Sequence, residues 1–306
     1  MSAPLQTPAK DVQRAITQLS QNKETGIIQI TLRNRDQIIL LLQHGKIPHG
    51  YLKSKERQRR ILNEEWGQLL ETEADCSVTF NSKPSHTLLP QKILLEYHDQ
   101  EEEKKSQTSQ LAALIQASEK SQHATIQHIR WQNTEAFVIS SGIELSQRKT
   151  LLLTSDLIVE TPDALQQIFN WHETECSVTT YKGNIESPIW IEVYLNILFE
   201  WTCNQILEQY SYLTGRVMIN SVIRSLLAKA TKVGWEITGT DGKVLDYTIF
   251  ASPAEAGQTY RAMLNTVYNS IEPIIGPVLL FSIQRQITNL CKGNYLSIAR
   301  MYELFS

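Results

Sequence analysis

Glu71-Thr72-Glu73-Ala74-Asp75-Cys76-Ser77-Val78-Thr79 and Glu173-Thr174-Glu175-Cys176-Ser177-Val178-Thr179 are two copies of one pattern: an acidic stretch, then Cys-Ser-Val-Thr. Four identical residues carry little weight alone. Their surroundings match as well, which reads as an internal duplication filling the N-terminal two thirds of the chain. Upstream of the first copy, after a loose start, residues 11–21 place Val12, Ala15, Ile16 and Leu19 on one helical face, with Asp11 as N-cap. Thr25-Gly26 breaks that pattern. Ile28, Ile30 and Leu32 then alternate with polar residues, as a half-buried strand does, and residues 38–42 form a continuous apolar run of strand length. Turns at Asn34-Arg35-Asp36 and His44-Gly45-Lys46 separate these from a shorter strand at 47–52. Residues 53–70 read as a helix through Ile61, Leu62, Trp66 and Leu69, and 77–81 as a closing strand.

The second pass repeats the order. Residues 111–117 are helical, 125–131 and 135–139 are strands, and Gly142 stands where Gly45 stood. No third strand is clear after Gly142. Thr161-Pro162-Asp163 opens a helix carrying Leu165, Ile168, Phe169 and Trp171, and 177–181 closes the unit. The best pairing sets Ile28-Gln29 against Ile126-Gln127, Gly45 against Gly142 and Cys76 against Cys176, at offsets of 98, 97 and 100 residues. Such drift is what short loop changes produce. Between the copies, Asp99-Gln100-Glu101-Glu102-Glu103-Lys104-Lys105-Ser106-Gln107 is charged and aperiodic, either a solvated loop or an exposed stretch of helix.

From Trp190 the texture becomes helical: Ile191, Tyr194, Leu195, Leu198 and Trp201 are periodic to about 210, and Val222, Ile223, Leu226, Leu227 and Ala230 continue over about 220–231. Alternation around Asp241-Gly242 is a hairpin signal. Ser252-Pro253-Ala254-Glu255 has the form of a helix start. A further helix over about 272–290 is interrupted or kinked at Gly276-Pro277, and 297–304 is a short last one.

With 306 residues, 42% hydrophobic and 20% charged, the chain has an ordinary globular composition. A net charge of -3 argues against generic nucleic-acid binding. The first residues hold no apolar signal core, and no apolar run nears the length that spans a bilayer. Four widely spaced cysteines without a Cys-x-x-Cys pair fit buried, reduced thiols in the cytoplasm.

Thr25-Gly26, Ile28-Gln29-Ile30, residues 38–42, Gly45-Lys46-Ile47-Pro48-His49-Gly50, Trp66 and Val78-Thr79-Phe80 follow one another in a recognisable order. The stretch 26–80 resembles the PATAN-type domain of bacterial and cyanobacterial signalling proteins. The second copy departs from it: Ala124 replaces Gly26, and the Gly142 turn lacks the small residue that follows. The resemblance implies protein–protein contact in control of motility or differentiation linked to two-component systems. The C-terminal part has no acidic pair after a first strand and no late lysine, so no receiver domain is carried over.

Chemical constellations are sparse. Gly239-Thr240-Asp241-Gly242-Lys243 lacks the spacing of a phosphate cradle and reads as a turn. All seven histidines precede residue 190, which opposes a phosphotransfer histidine in the helical part. His44 and His49 flank the Gly45 turn; they could pair on a metal, but no Cys or carboxylate completes a familiar spacing, and the simpler reading is surface histidines. No nucleophile elbow is present, and acidic neighbours disfavour thiolates at Cys76 and Cys176. Lys53-Ser54-Lys55-Glu56-Arg57-Gln58-Arg59-Arg60 is the densest basic run: a docking site for an acidic partner, or a solvated helix face. Trp190, Tyr194 and Trp201 stand at helical spacing, either as core or as a docking helix.

The sequence therefore predicts an α+β protein: two tandem units of a helix plus a small antiparallel sheet at 10–98 and 108–186, then a mainly helical domain at 190–306 with a hairpin at 234–248. It predicts a non-enzymatic, cytoplasmic adaptor or scaffold without metal or cofactor, with self-association possible and nucleic acid and membrane spans disfavoured. Partner contacts are expected at Lys55, Arg57, Arg59, Arg60, His44, Lys46 and His49. The alternatives are an enzyme with an unfamiliar polar site, hydrolase-like, and a DNA-associated regulator using a basic helix at 53–60.

Overall fold

The computed structural model describes residues 6–55, 57–71, 75–83, 85–96, 102–131, 134–145, 148–153, 158–159, 175–240 and 242–305. By contact the chain forms two compact units. One comprises residues 1–98 with 227–238 and 245–251; the other comprises 99–226, 239–244 and 252–306.

The first unit begins with strand β1 (Gln6–Pro8) and helix α1 (Ala9–Gln21). The helix starts two residues before Asp11, so Asp11 lies in its first turn rather than at its cap, and pairs with Arg14. Strands β2 (Gly26–Thr31), β3 (Gln37–Gln43), β4 (Lys46–Lys53) and β5 (Gln58–Ile61) follow, then α2 (Asn63–Glu71), β6 (Asp75–Ser82) and α3 (Leu88–Glu96). The helix expected over 53–70 is thus a strand, β5, and a shorter helix. The antiparallel sheet runs β1-β6-β2-β3-β4-β5. One face buries Ile28, Ile30, Ile38, Leu40, Leu42 and Cys76 against Val12 and Ile16 of α1 and Leu70 of α2. Each such side chain contributes about 1.5–3 kcal/mol. The other face holds Leu41, Gln43, His49 and Tyr51, all buried, with Leu89, Lys92 and Ile93 of α3.

The second unit repeats the sheet. Strand β7 (Glu102–Gln107) is followed by α4 (Leu111–Glu119), β8 (Thr125–Trp131), β9 (Thr134–Ser140), β10 (Arg148–Leu153), β11 (Ile158–Val159) and β12 (Glu175–Lys182). The order is β7-β12-β8-β9-β10-β11, the first sheet's order strand for strand. Two expectations are corrected. The second copy has its third strand, β10, and the charged stretch between the copies supplies an edge strand, β7, from residue 102 onward. The helix expected from Thr161 lies outside the described residues. Ile129, Trp131, Val138, Cys176 and Val178 pack on Leu111 and Ile115 of α4.

Register sharpens the repeat. Ile30 pairs with Val78, and Ile129 with Val178. Ile28 pairs with Leu40, and Gln127 with Val138. Structurally, therefore, Ile28 corresponds to Gln127 and not to Ile126. Since a one-residue slip exchanges the faces of a strand, the sequence pairing had turned this strand over. The glycine pairing holds: Gly45 and Gly142 have φ of 79° and 71°.

Helix α5 (Pro188–Thr214) is apolar almost all round and buried accordingly, with Trp190, Tyr194, Leu198 and Phe199 at its centre. The Trp190 and Tyr194 side chains are core. Helix α6 (Arg216–Val233) leads to a hairpin of β13 (Ile237–Thr240) and β14 (Lys243–Asp246). Helices α7 (Pro253–Ile275), α8 (Pro277–Leu290) and α9 (Gly293–Met301) complete the chain. Ser252 caps α7, its hydroxyl accepting from the Glu255 N–H at 3.2 Å. Phe199 of α5 stacks on Tyr260 of α7, with ring centroids 4.7 Å apart. Further along both helices, burial and then the neighbouring Cys203 thiol raise the Tyr268 hydroxyl to about 12. The two helices therefore run side by side in the same direction. They also end alike. Gly215 (φ 86°, ψ 162°) and Gly276 (φ 80°, ψ 161°) each return their N–H at 2.8 Å to the carbonyl four residues back, Ser211 and Glu272. No helix among the described residues is long and apolar enough to cross a membrane.

Candidate functional site

The basic run lies on the β4–β5 hairpin, not on a helix. Lys46 is exposed at the start of β4, and Lys53, Lys55 and Arg57 are exposed at the far end. Ser54 shapes that end: its N–H donates to the Arg57 carbonyl at 2.8 Å, and its hydroxyl accepts from the Arg57 N–H at 3.1 Å. The remaining predicted contacts are engaged within the unit. Arg59 pairs with Glu65, and that hydrogen bond holds the guanidinium pKa up and the carboxyl pKa down. Arg60 donates to the Ala251 carbonyl. His44, half-buried and at φ 49°, pairs with Glu236.

His49 is the clear correction. It is 1% exposed and faces inward. Its Nε2 meets the Phe250 carbonyl, which can only accept, so Nε2 carries the proton. Nδ1 is then a buried acceptor without a hydrogen-bond partner among the described residues. Burial first, and the charges of Lys92 and Arg60 next, push the imidazole pKa down to about 2 against the opposing Phe250 bond. His49 stays neutral and takes no part in a surface contact.

His49 and Arg60, with two side chains that the sequence did not bring forward, form a clamp on the main chain of residues 247–251. Gln43 grips two backbone groups through one amide. Its Nε2 donates to the Tyr247 carbonyl at 2.9 Å, and its Oε1 accepts from the Ile249 N–H at 3.0 Å. Lys92, wholly buried, donates to the Phe250 carbonyl at 3.3 Å. The segment is braced below by Tyr247 N–H to the Glu236 carbonyl at 2.8 Å and Glu236 N–H to the Thr248 hydroxyl at 3.0 Å. Polar residues inside apolar runs were the available signal. Gln43 closes the apolar run of β3, where a bulge after Leu41 displaces the register, and Lys92 interrupts Leu88-Leu89-Pro90-Gln91-Lys92-Ile93-Leu94-Leu95.

In the second unit the corresponding turn serves α9. The Tyr295 hydroxyl donates to the Ser141 carbonyl at 3.2 Å, and the Glu144 carboxylate accepts from the Asn294 N–H at 3.1 Å. Tyr194 accepts from the Ala124 N–H at 3.1 Å and meets Tyr295 edge-on, with centroids 4.9 Å apart.

All four cysteines are buried, and none forms a disulfide. Burial raises Cys203 and Cys291 to about 12, and burial followed by Glu175 raises Cys176. Among the described residues no group of three or more His, Cys, Asp and Glu side chains is placed to hold a metal ion. No protein-family model matches the chain, and neither a curated protein nor a solved structure matches it.

Proposed function

We propose that the chain is a non-enzymatic cytoplasmic signalling adaptor whose first unit holds an acidic segment of another protein. The observation that carries this reading is the β4–β5 hairpin. Its exposed end gathers Lys53, Lys55 and Arg57 on a turn tied by Ser54, on strands anchored to a packed sheet. Cations fixed on a rigid frame attract and orient an acidic partner at little entropic cost. The resemblance of residues 26–80 to PATAN-type domains agrees with it and suggests two-component-linked control of motility or differentiation. The thiols of Cys176, Cys203 and Cys291, held protonated by burial, and the neutral, buried His49 support the non-enzymatic part, since none of them supplies a nucleophile or base near neutral pH. A DNA reading that relied on a basic helix loses that helix, because residues 58–61 are strand.

The test is affinity capture from native lysate with the full chain, beside a Lys53→Glu/Lys55→Glu/Arg57→Glu variant. An acidic protein retained by the first and lost by the second supports the adaptor. Retention unaffected by the reversal, or no specific retention at all, refutes it.

A further inference from the structure

The sheet of the first unit ends at β5, and no strand among the described residues pairs with its outer side. On its inner side β5 pairs with residues 50–53: Ile61 opposes Gly50, Arg60 opposes Tyr51, Arg59 opposes Leu52 and Gln58 opposes Lys53. Side chains fix the strand from both faces. Ile61 belongs to the core that α1 and α2 cover, and Gln58, pointing the other way, donates to the Leu95 carbonyl of α3. An end strand held in this way keeps its pleat and turns main-chain N–H and C=O groups outward, which makes it a template for one more strand.

Charge selects that strand. Lys53, Lys55, Arg57 and Arg60 are exposed along this hairpin. Arg60 donates to the Ala251 carbonyl, a neutral acceptor that leaves the guanidinium charge in place, whereas Arg59 is balanced by Glu65. A second copy of β5 would set like charges opposite one another, which is destabilising across a strand pair. An acidic strand would meet opposite charge on an edge that is already ordered. A strand rising about 3.3 Å per residue also keeps step with the cations of the edge, which a helix rising about 1.5 Å per residue does not. We propose that β5 takes an extended acidic segment of another protein as an added strand at the end of this sheet. The inference rests on the adaptor reading and supplies its mode of capture.

Hydrogen exchange and peptide titration of the full chain test it. One synthetic peptide repeats Glu-Val-Glu-Thr; the other repeats Glu-Pro-Glu-Pro, which has the same charge but lacks every second N–H. The first is expected to bind at least about tenfold more tightly than the second, the worth of one or two hydrogen bonds, and to slow exchange at the outward N–H groups of residues 58–61 by a similar factor. Lys53→Glu/Lys55→Glu/Arg57→Glu should weaken the first peptide at least about tenfold with an unchanged circular dichroism spectrum, because all three positions are exposed. If that variant does not fold, a salt titration of the wild type gives the reading, since the same contact weakens as salt rises. Equal affinity for the two peptides, or protection that falls on β1 or β7 and not on 58–61, overturns the added strand while the adaptor reading stands. Binding of neither peptide overturns it as well. The adaptor reading fails separately, when native lysate yields no acidic protein that the charge reversal releases.

Discussion

The turns at Gly45 and Gly142 use one backbone to hold different parts of the C-terminal chain. Both glycines sit at positive φ, and both press against the end of the helix that opens their unit. In the first unit the flanking side chains are Gln43 and His44, which take the main chain of Tyr247 and Ile249 and the carboxylate of Glu236. In the second, the main-chain carbonyl of Ser141 accepts from Tyr295 and the Glu144 carboxylate accepts from the first turn of α9. Strand order and turn geometry were kept, while the chemistry of capture changed. A neutral amide matched to an extended segment serves one turn, and an anion matched to a helix N-terminus serves the other.

The largest effect should come from breaking what the two turns share. A Cβ on Gly45 would lie 2.1 Å from the Ser20 carbonyl oxygen, and one on Gly142 2.5 Å from that of Ser121. With the positive φ added, Gly45→Ala should cost about 4 kcal/mol in urea unfolding, and Gly142→Ala somewhat less. Losses below about 1 kcal/mol at both would mean that the turns are not structural pivots. Next is Gln43→Ala, which strands a buried carbonyl and a buried N–H. It should cost about 3 kcal/mol, and Gln43→Glu, lacking the donor, should not recover it.

His49 separates the units by pH. The unfolded ring takes up a proton near 6.5, whereas the folded one resists until about 2. Across that window the unfolded state binds more protons. The stability contributed is therefore complete above about 6.5 and falls by about 1.4 kcal/mol per pH unit below it. His49→Gln keeps a donor for Phe250 and should flatten that slope. Parallel slopes in the two proteins between pH 7 and 5 would show that His49 is not the titrating group. The smallest effect is expected from Glu144→Ala, which removes a cap from α9 at about 1 kcal/mol.

Much of the architecture was legible because it is periodic. Alternation marked β2, the Ser-Pro start marked α7, and the two glycines marked equivalent turns. Charge hid the edge strands: β5 contains Arg59 and Arg60, and β7 contains Glu102, Glu103, Lys104 and Lys105. Edge strands carry such residues to deter further pairing, and a helix reading absorbs them easily. The one-residue slip at Ile126 came from matching Ile28-Gln29 to Ile126-Gln127 by letter, where the true counterpart of Ile28 is the polar Gln127. Of the site, the basic residues were visible in the sequence but their geometry was not. Arg59, Arg60 and His44 have partners six to almost two hundred residues away. Nothing local in 245–251 announces that this segment belongs with a sheet two hundred residues earlier.

The contrast between the two turns is tested most directly by hydrogen exchange on Gln43→Ala and Glu144→Ala, followed segment by segment. Gln43→Ala should speed exchange at residues 247–251 and leave 293–301 protected, and Glu144→Ala should do the reverse. If either variant deprotects both segments equally, the turns do not hold separate parts of the chain.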